Sequence, residues 1–235
     1  MLTAQRAIGL ISLRRKLILL AHRDLEHIEV INAGSGRGKA SATLMHLEDE
    51  LFVVYDWEPL DIAGLHSGTS ICGFNRDLLE MHQELTLSTG AAVSEYMQSC
   101  DPEKRPTIVY TGHGWGGALA LMQSFVVPPA QLITFGQPAV GNEETTDYLR
   151  RKVKEKTGPF HYQRYTYHRD PLADTKFADG YQHIGASICV HRLITADYKE
   201  VLNPAPLMKF IQRMWPESGL GYTKRDYYTL MYLSS

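Results

Sequence analysis

Two hydrophobic periods alternate along this chain, and the switches between them outline its elements. Residues 5–31 hold apolar clusters at 8–13 and 17–20, split by Arg14, Arg15 and Lys16, with Arg23, Asp24, Glu26, His27 and Glu29 on a polar side. That spacing predicts a first helix covering the edge of the core. Residues 32–39, with three glycines, read as a turn. Strands are predicted at 40–46 and 51–55, the second a β-branched and aromatic run. Leu78, Leu79, Leu85, Ala92, Val93, Tyr96 and Met97 recur at helical intervals and predict a long helix over 76–98, with a break near Thr89-Gly90. A strand at 107–111, a helix at 117–127, a strand at 131–135, a charged helix at 143–156 and an aromatic strand at 160–167 follow. Strands alternating with helices predict a mostly parallel sheet covered by helices on both faces. Composition shows no break and no repeat, and Pro128-Pro129, Pro204, Pro206 and Pro216 lie in ordinary connections, so residues 1–235 read as one domain.

Composition narrows the function classes. Apolar residues make up 44% and charged residues 21%, which suits a packed core and argues against disorder. A net charge of -2 excludes a wholly basic surface for nucleic acid. The run Tyr162-Gln-Arg-Tyr-Thr-Tyr-His-Arg169 could stack bases, but reads more simply as a strand, and the basic residues at 150–156 read as a solvated helix face. Cys72, Cys100 and Cys189 form no closed disulfide framework and no CxxC pair, which favours a reducing compartment. The basic interruption at residues 14–16 breaks any signal-peptide core, so the expected place is the cytoplasm or a larger assembly. Nowhere does the chain offer the roughly 20 apolar residues of a membrane span. The glycines before Lys39 lack the GKS or GKT of a phosphate loop, and His161, His168, Asp170 and His183 lack a metal-ligand spacing. No metal and no cofactor are expected.

The most informative segment is Thr107-Ile-Val-Tyr-Thr-Gly-His-Gly-Trp-Gly-Gly-Ala-Leu-Ala120. A strand runs into Gly112, His113, Gly114, Trp115, Gly116 and Gly117, and a small-residue helix follows. This is the pattern of a G-x-S-x-G nucleophile elbow, in which glycines permit a sharp strand-to-helix turn. The residue at the tip is Gly114, which offers no nucleophile.

The segment resembles the T-G-H-S-x-G-G-A-L-A elbow of the class 3, or fungal-type, triacylglycerol lipase family. The resemblance continues through Thr134-Phe-Gly-Gln-Pro-Ala-Val-Gly-Asn142, Tyr165-Thr-Tyr-His-Arg-Asp-Pro171 and Gly180-Tyr-Gln-His-Ile-Gly185. Those four matches span residues 107–185. Upstream, Leu65-His-Ser-Gly68 or Gly73-Phe74 resembles the family's entry to the long helix before the elbow. The resemblance implies an α/β-hydrolase fold. It also implies that Asp170 stands where the family orients its catalytic base. Lys224 or Arg225 then stands where that histidine is expected, since His183 matches a non-triad position and His191 comes too early. The family strand ending in F-R-G-S or F-R-G-T supplies an oxyanion donor. Here Tyr55-Asp-Trp-Glu-Pro59 takes its place, so Asp56, Trp57 and Glu58 form a degenerate oxyanion region, and Pro59 lacks a backbone donor.

With nucleophile, base and oxyanion motif all replaced, the implied function is a catalytically silent, lidless module. It would serve as a structural or protein-interaction domain, or as a scaffold in a compact viral or parasite protein, with a protein partner or self-assembly. Two alternatives stay open: an ester hydrolase with a relocated nucleophile (Ser67, Ser70, Thr111 or Cys72), and a lipid-binding protein without chemistry. His113, beside the tip, reads as structural.

Overall fold

The computed structural model describes residues 3, 4, 6, 7, 10, 25–35, 38–59, 70, 71, 73–155, 161–167, 170, 173, 180–184 and 187–190. A seven-stranded sheet forms the centre, built from β1 (Leu25–Ser35), β2 (Gly38–Leu47), β3 (Glu50–Pro59), β6 (Thr107–His113), β7 (Gln131–Phe135), β9 (His161–Tyr167) and β11 (Ser187–Val190), in the order β1-β2-β3-β6-β7-β9-β11. The first three strands are antiparallel neighbours, and every later pairing in this sheet is parallel. A smaller antiparallel sheet joins β4 (Ser70–Ile71), β5 (Phe74–Asn75), β8 (Gly141–Asn142) and β10 (Tyr181–Gln182).

The central strands are apolar on both sides because both faces are buried. On one face, Leu51, Val53, Tyr55 and Trp57 of β3 join Tyr110 of β6 and Leu132 of β7 in a single cluster. Helices α1 (Arg76–Ser99) and α2 (Trp115–Val126) complete it. On the other face, Phe52, Val54, Val109, Ile133 and Phe135 are equally buried. Near the start of β3, helical residues of the N-terminus add buried Ala4, Ala7 and Leu10. They are held by Thr3, whose hydroxyl donates to Glu50 at 2.8 Å, and by Arg6, which pairs with Glu50 at 3.0 Å and with Glu48.

Local signals start the helices. Asn75 caps α1 by accepting the Leu78 amide at 3.0 Å, and Asn142 caps α3 (Glu143–Glu155) by accepting the Thr145 amide at 3.0 Å. Leu78, Met81, Leu85, Thr89, Ala92 and Val93 of α1 face the core at intervals of three and four.

The structure corrects two expectations. The predicted first helix does not reach residue 31: β1 begins at Leu25 and pairs with β2 through Ser35, so residues 32–35 and 38–39 of the predicted turn are strand. The break expected in α1 at Thr89-Gly90 is absent, because Thr89 is fully buried and the helix is held from outside by tertiary packing. The central sheet is mostly parallel, as expected, with antiparallel pairing confined to its β1–β3 side. Among the described residues, no helix is long and apolar enough to cross a membrane.

Candidate functional site

Three strand ends meet at the carboxyl edge of the parallel half. β6 ends at His113, and Gly114 turns the chain into α2 with φ 56° and ψ -126°. The Gly114 amide donates to the carbonyl of Phe135, the last residue of β7, at 2.9 Å. Its carbonyl accepts the Ala118 amide at 3.2 Å, the first bond of the helix. One strand over, Gly136 also has a φ of 56° and donates its amide to the Tyr165 carbonyl of β9 at 2.9 Å. Asp170 follows β9 and is buried. In open α/β sheets this edge is where ligands and chemistry sit.

The backbone at Gly114 lies in a region that side-chain-bearing residues rarely enter, at a cost of about 1–3 kcal/mol. A serine nucleophile would have to be held there against that strain; glycine sits there without it.

The elbow is closed by backbone against backbone. A Cβ added at Gly116 would collide with the Tyr55 carbonyl of β3, and one added at Gly112 would collide with the backbone of Gly116. Gly117 sits over Thr134 and Gln137, with 3.3 Å to the Cβ atom of each from an added Cβ. The glycine run is therefore what lets α2 lie on the sheet. Its first residue, Trp115, is buried and meets Trp57 edge to face, with ring centroids 5.6 Å apart.

β3 does not open into a loop where the family motif would place its oxyanion donor. It remains paired with β2 through Pro59, which faces Gly38. Trp57 points into the cluster beneath α2, while Asp56 and Glu58 belong to the opposite side of the strand, the first buried and the second exposed.

The other sequence candidates separate. Thr111 lies in β6 with no solvent exposure, so no substrate reaches its hydroxyl. His183 is buried, and its Nε2 stands 2.9 Å from the Ala173 carbonyl, an acceptor that commits that nitrogen as a donor. Arg150 binds the His183 carbonyl at 3.1 Å. His113 is half-buried at the end of β6. Ser70 lies in β4. Ser67, Cys72, His191, Lys224 and Arg225 lie outside the described residues, and so does any pairing of Asp170 with the two basic residues.

A network that the sequence did not single out supports the floor of the site. Gln137 is fully buried, and its Oε1 accepts the Thr134 hydroxyl at 2.9 Å and the Tyr162 hydroxyl at 2.8 Å. Burial pushes the Tyr162 phenol up to about 12, so it stays a donor at any physiological pH. The available signal was the polar residue between Gly136 and Pro138, which has to satisfy itself beneath α2.

These features have relatives. Lipase II from Rhizopus niveus matches with a TM-score of 0.60 and 16% identity, covering 86% of this chain and 88% of that one. Lip2 lipase from Yarrowia lipolytica matches at 0.54 and 14%, covering 80% and 76%. A triacylglycerol lipase from Penicillium expansum matches at 0.53 and 17%, covering 80% and 78%. At these identities the likeness is one of fold, and it is the α/β-hydrolase fold. No curated sequence matches the chain. The family model of class 3 lipases matches residues 57–180, more than half of the chain, and the chain belongs to that family.

Proposed function

We propose that this chain is a class 3 lipase domain without serine hydrolase activity, kept as a structural or protein-binding module. The observation that carries the reading is Gly114: the tip of the elbow has the turn geometry but no side chain. Acyl transfer through this architecture requires a nucleophile at that point, a base within hydrogen-bond reach and donors aimed at the developing oxyanion. The β3 end adds weight, since its backbone stays in the β2 ladder and its Trp57 packs on Trp115. Losing one oxyanion donor alone typically costs about 100- to 1,000-fold in rate.

The test is hydrolysis of short-chain p-nitrophenyl esters and labelling by a fluorophosphonate, on the unmodified chain, Gly114→Ser and Gly114→Ala, with folding checked by circular dichroism. All three are expected to stay at background. Turnover or labelling by the unmodified chain would overturn the proposal and point to a relocated nucleophile. Hydrolysis by Gly114→Ser about 1,000-fold above Gly114→Ala would show an intact base, and would reduce the lesion to one side chain.

A further inference from the structure

Among the described residues, the central sheet ends on one side in β11, four residues long, and on the other in β1, eleven residues long. Sheet edges present backbone donors and acceptors to a newcomer, and proteins blunt them with short strands, lysine, proline or bulges. Residues 25–35 contain no lysine and no proline, and the one irregularity of the strand lies at its start, between Leu25 and His27. From His27 to Ser35 the pairing with β2 is regular.

The parity of that pairing decides which backbone groups face outward. Two residues separate Ser35 from Gly38, so this closing pair of the hairpin is a hydrogen-bonded one. Bonded and non-bonded pairs alternate along an antiparallel ladder, so Ala33, Ile31 and Glu29 bond to β2. Val30, Asn32 and Gly34 then aim their N–H and C=O groups away from β2, at the outer edge. Their positions share one face of the sheet. Val30 is 47% exposed there, Asn32 is exposed, and nothing lies within 4 Å of a Cβ added at Gly34. Thr43 and Ser41, the register partners of Val30 and Asn32, are buried, so the cover on this face stops between β2 and β1. On the opposite face, Ile31 and Ala33 pack against the core.

The geometry points to β1 as a self-pairing edge: a second copy of this chain adds its own β1 antiparallel, across a two-fold axis at Val30. Val30 is the midpoint of Leu25–Ser35, so this axis overlaps the whole strand with its copy. It sets exposed valine against exposed valine, and Glu29 against Ile31. An axis one residue earlier would set Glu29 against its own copy, and like charges directly opposite are unfavourable. A copy of β1 brings an edge of equal length and equal twist. A two-fold contact also closes on itself, so the assembly stops at two chains and does not run on into a fibre. The inference is independent of the chemistry at the elbow, and ester assays do not bear on it.

Sedimentation of the full chain from micromolar to near-millimolar concentration should show a reversible step from one chain to two. Val30→Lys puts two lysines face to face at the axis, and should raise the dissociation constant of the dimer about tenfold or more. Asn32 lies opposite Ile28 in this register, so Asn32→Lys meets no like charge and should raise it less. Circular dichroism checks that both variants fold. Amide exchange followed by NMR reads the register without any substitution. Val30, Asn32 and Gly34 should gain protection as concentration rises, while Ile31 and Ala33 should be protected throughout. A chain that stays single at every concentration would overturn the proposal, and so would a dimer that Val30→Lys leaves intact. An Asn32→Lys effect as large as that of Val30→Lys would overturn the axis at Val30. Protection that rises with concentration elsewhere, but not at Val30, Asn32 and Gly34, would take the contact off β1 and overturn the proposal as well.

Discussion

The elbow and the end of β3 lie side by side and are built in opposite ways. The elbow is packed by absence. At Gly112 and Gly116 the main chains approach so closely that no side chain fits. The end of β3 is packed by bulk: Tyr55 and Trp57 fill the space under α2, and Trp57 closes on Trp115. The family motif calls for chemistry from both regions, a nucleophile from the first and a donor from the second. The elbow keeps its backbone shape with nothing on it. The strand end has a different use, as one edge of an antiparallel ladder and a wall of the core. The difference teaches that a turn closed by backbone contact needs no side chain at its tip to hold its shape, whereas a strand end takes its use from the neighbour that pairs with it.

The largest expected effect is at the elbow. Gly116→Val should prevent folding, a loss of more than about 5 kcal/mol, because a branched side chain meets the Tyr55 backbone and not a flexible neighbour. Yield and circular dichroism measure it, and a folded valine variant would break the claim that the elbow is closed by backbone. Trp57→Ala should cost about 3–5 kcal/mol by the lost burial and the cavity left behind. Urea unfolding reads the loss, and a red shift in fluorescence reports the uncovered Trp115. A cost below about 1 kcal/mol would mean that the strand end is not a wall at all.

Acid tests the ground behind both regions. Burial pushes the His82 imidazole down to about 4, partly offset by its bond to Gln123. A neutral histidine in the folded chain and a normal one near 6.5 in the unfolded chain give stability that is complete above pH 6.5 and declines as the pH falls from 6.5 towards 4. The decline should total about 3 kcal/mol, because each pKa unit corresponds to about 1.4 kcal/mol. Urea midpoints across that range measure it, and His82→Gln should flatten the slope; equal slopes in both proteins would exclude His82 as the cause. The smallest effect belongs to Gly34→Ala in β1. Nothing lies within 4 Å of an added Cβ there, so stability should change by no more than about 0.5 kcal/mol. A large loss at Gly34 would show that the glycines of this chain are not distinguished by what they touch.

Much of the parallel half was legible because its elements carry strong local signals. Gln131–Phe135 was read to the residue, and the strand before the elbow and the helix after it to within two residues. Asn75 and Asn142 mark helix starts that the pattern also gave. The antiparallel half was harder. Leu25–Ser35 mixes charged and β-branched residues, and its strand exists because β2 pairs with it along its whole length. The run Ile28 to Ile31 was the one clue, and the polar residues around it matched a helix face as well. Gly90 argued for a break in α1 that packing overrides. At the site, Gly114 and its positive φ followed from the glycine pattern. What could not be read was that β3 stays paired past Tyr55, since the sequence of one strand does not state which neighbour holds its end.

The φ of 56° at Gly114 also bears on how much sequence change this chain can absorb. A protein fails when accumulated substitutions carry it below a stability threshold, and a typical point mutation takes away about 1 kcal/mol. Glycine at the elbow leaves out a strain of about 1–3 kcal/mol that a serine there would impose. That is room for about one to three ordinary substitutions elsewhere in the chain. A serine placed at Gly114 would give up that margin, so the substitution should weaken the fold whatever it does to the chemistry.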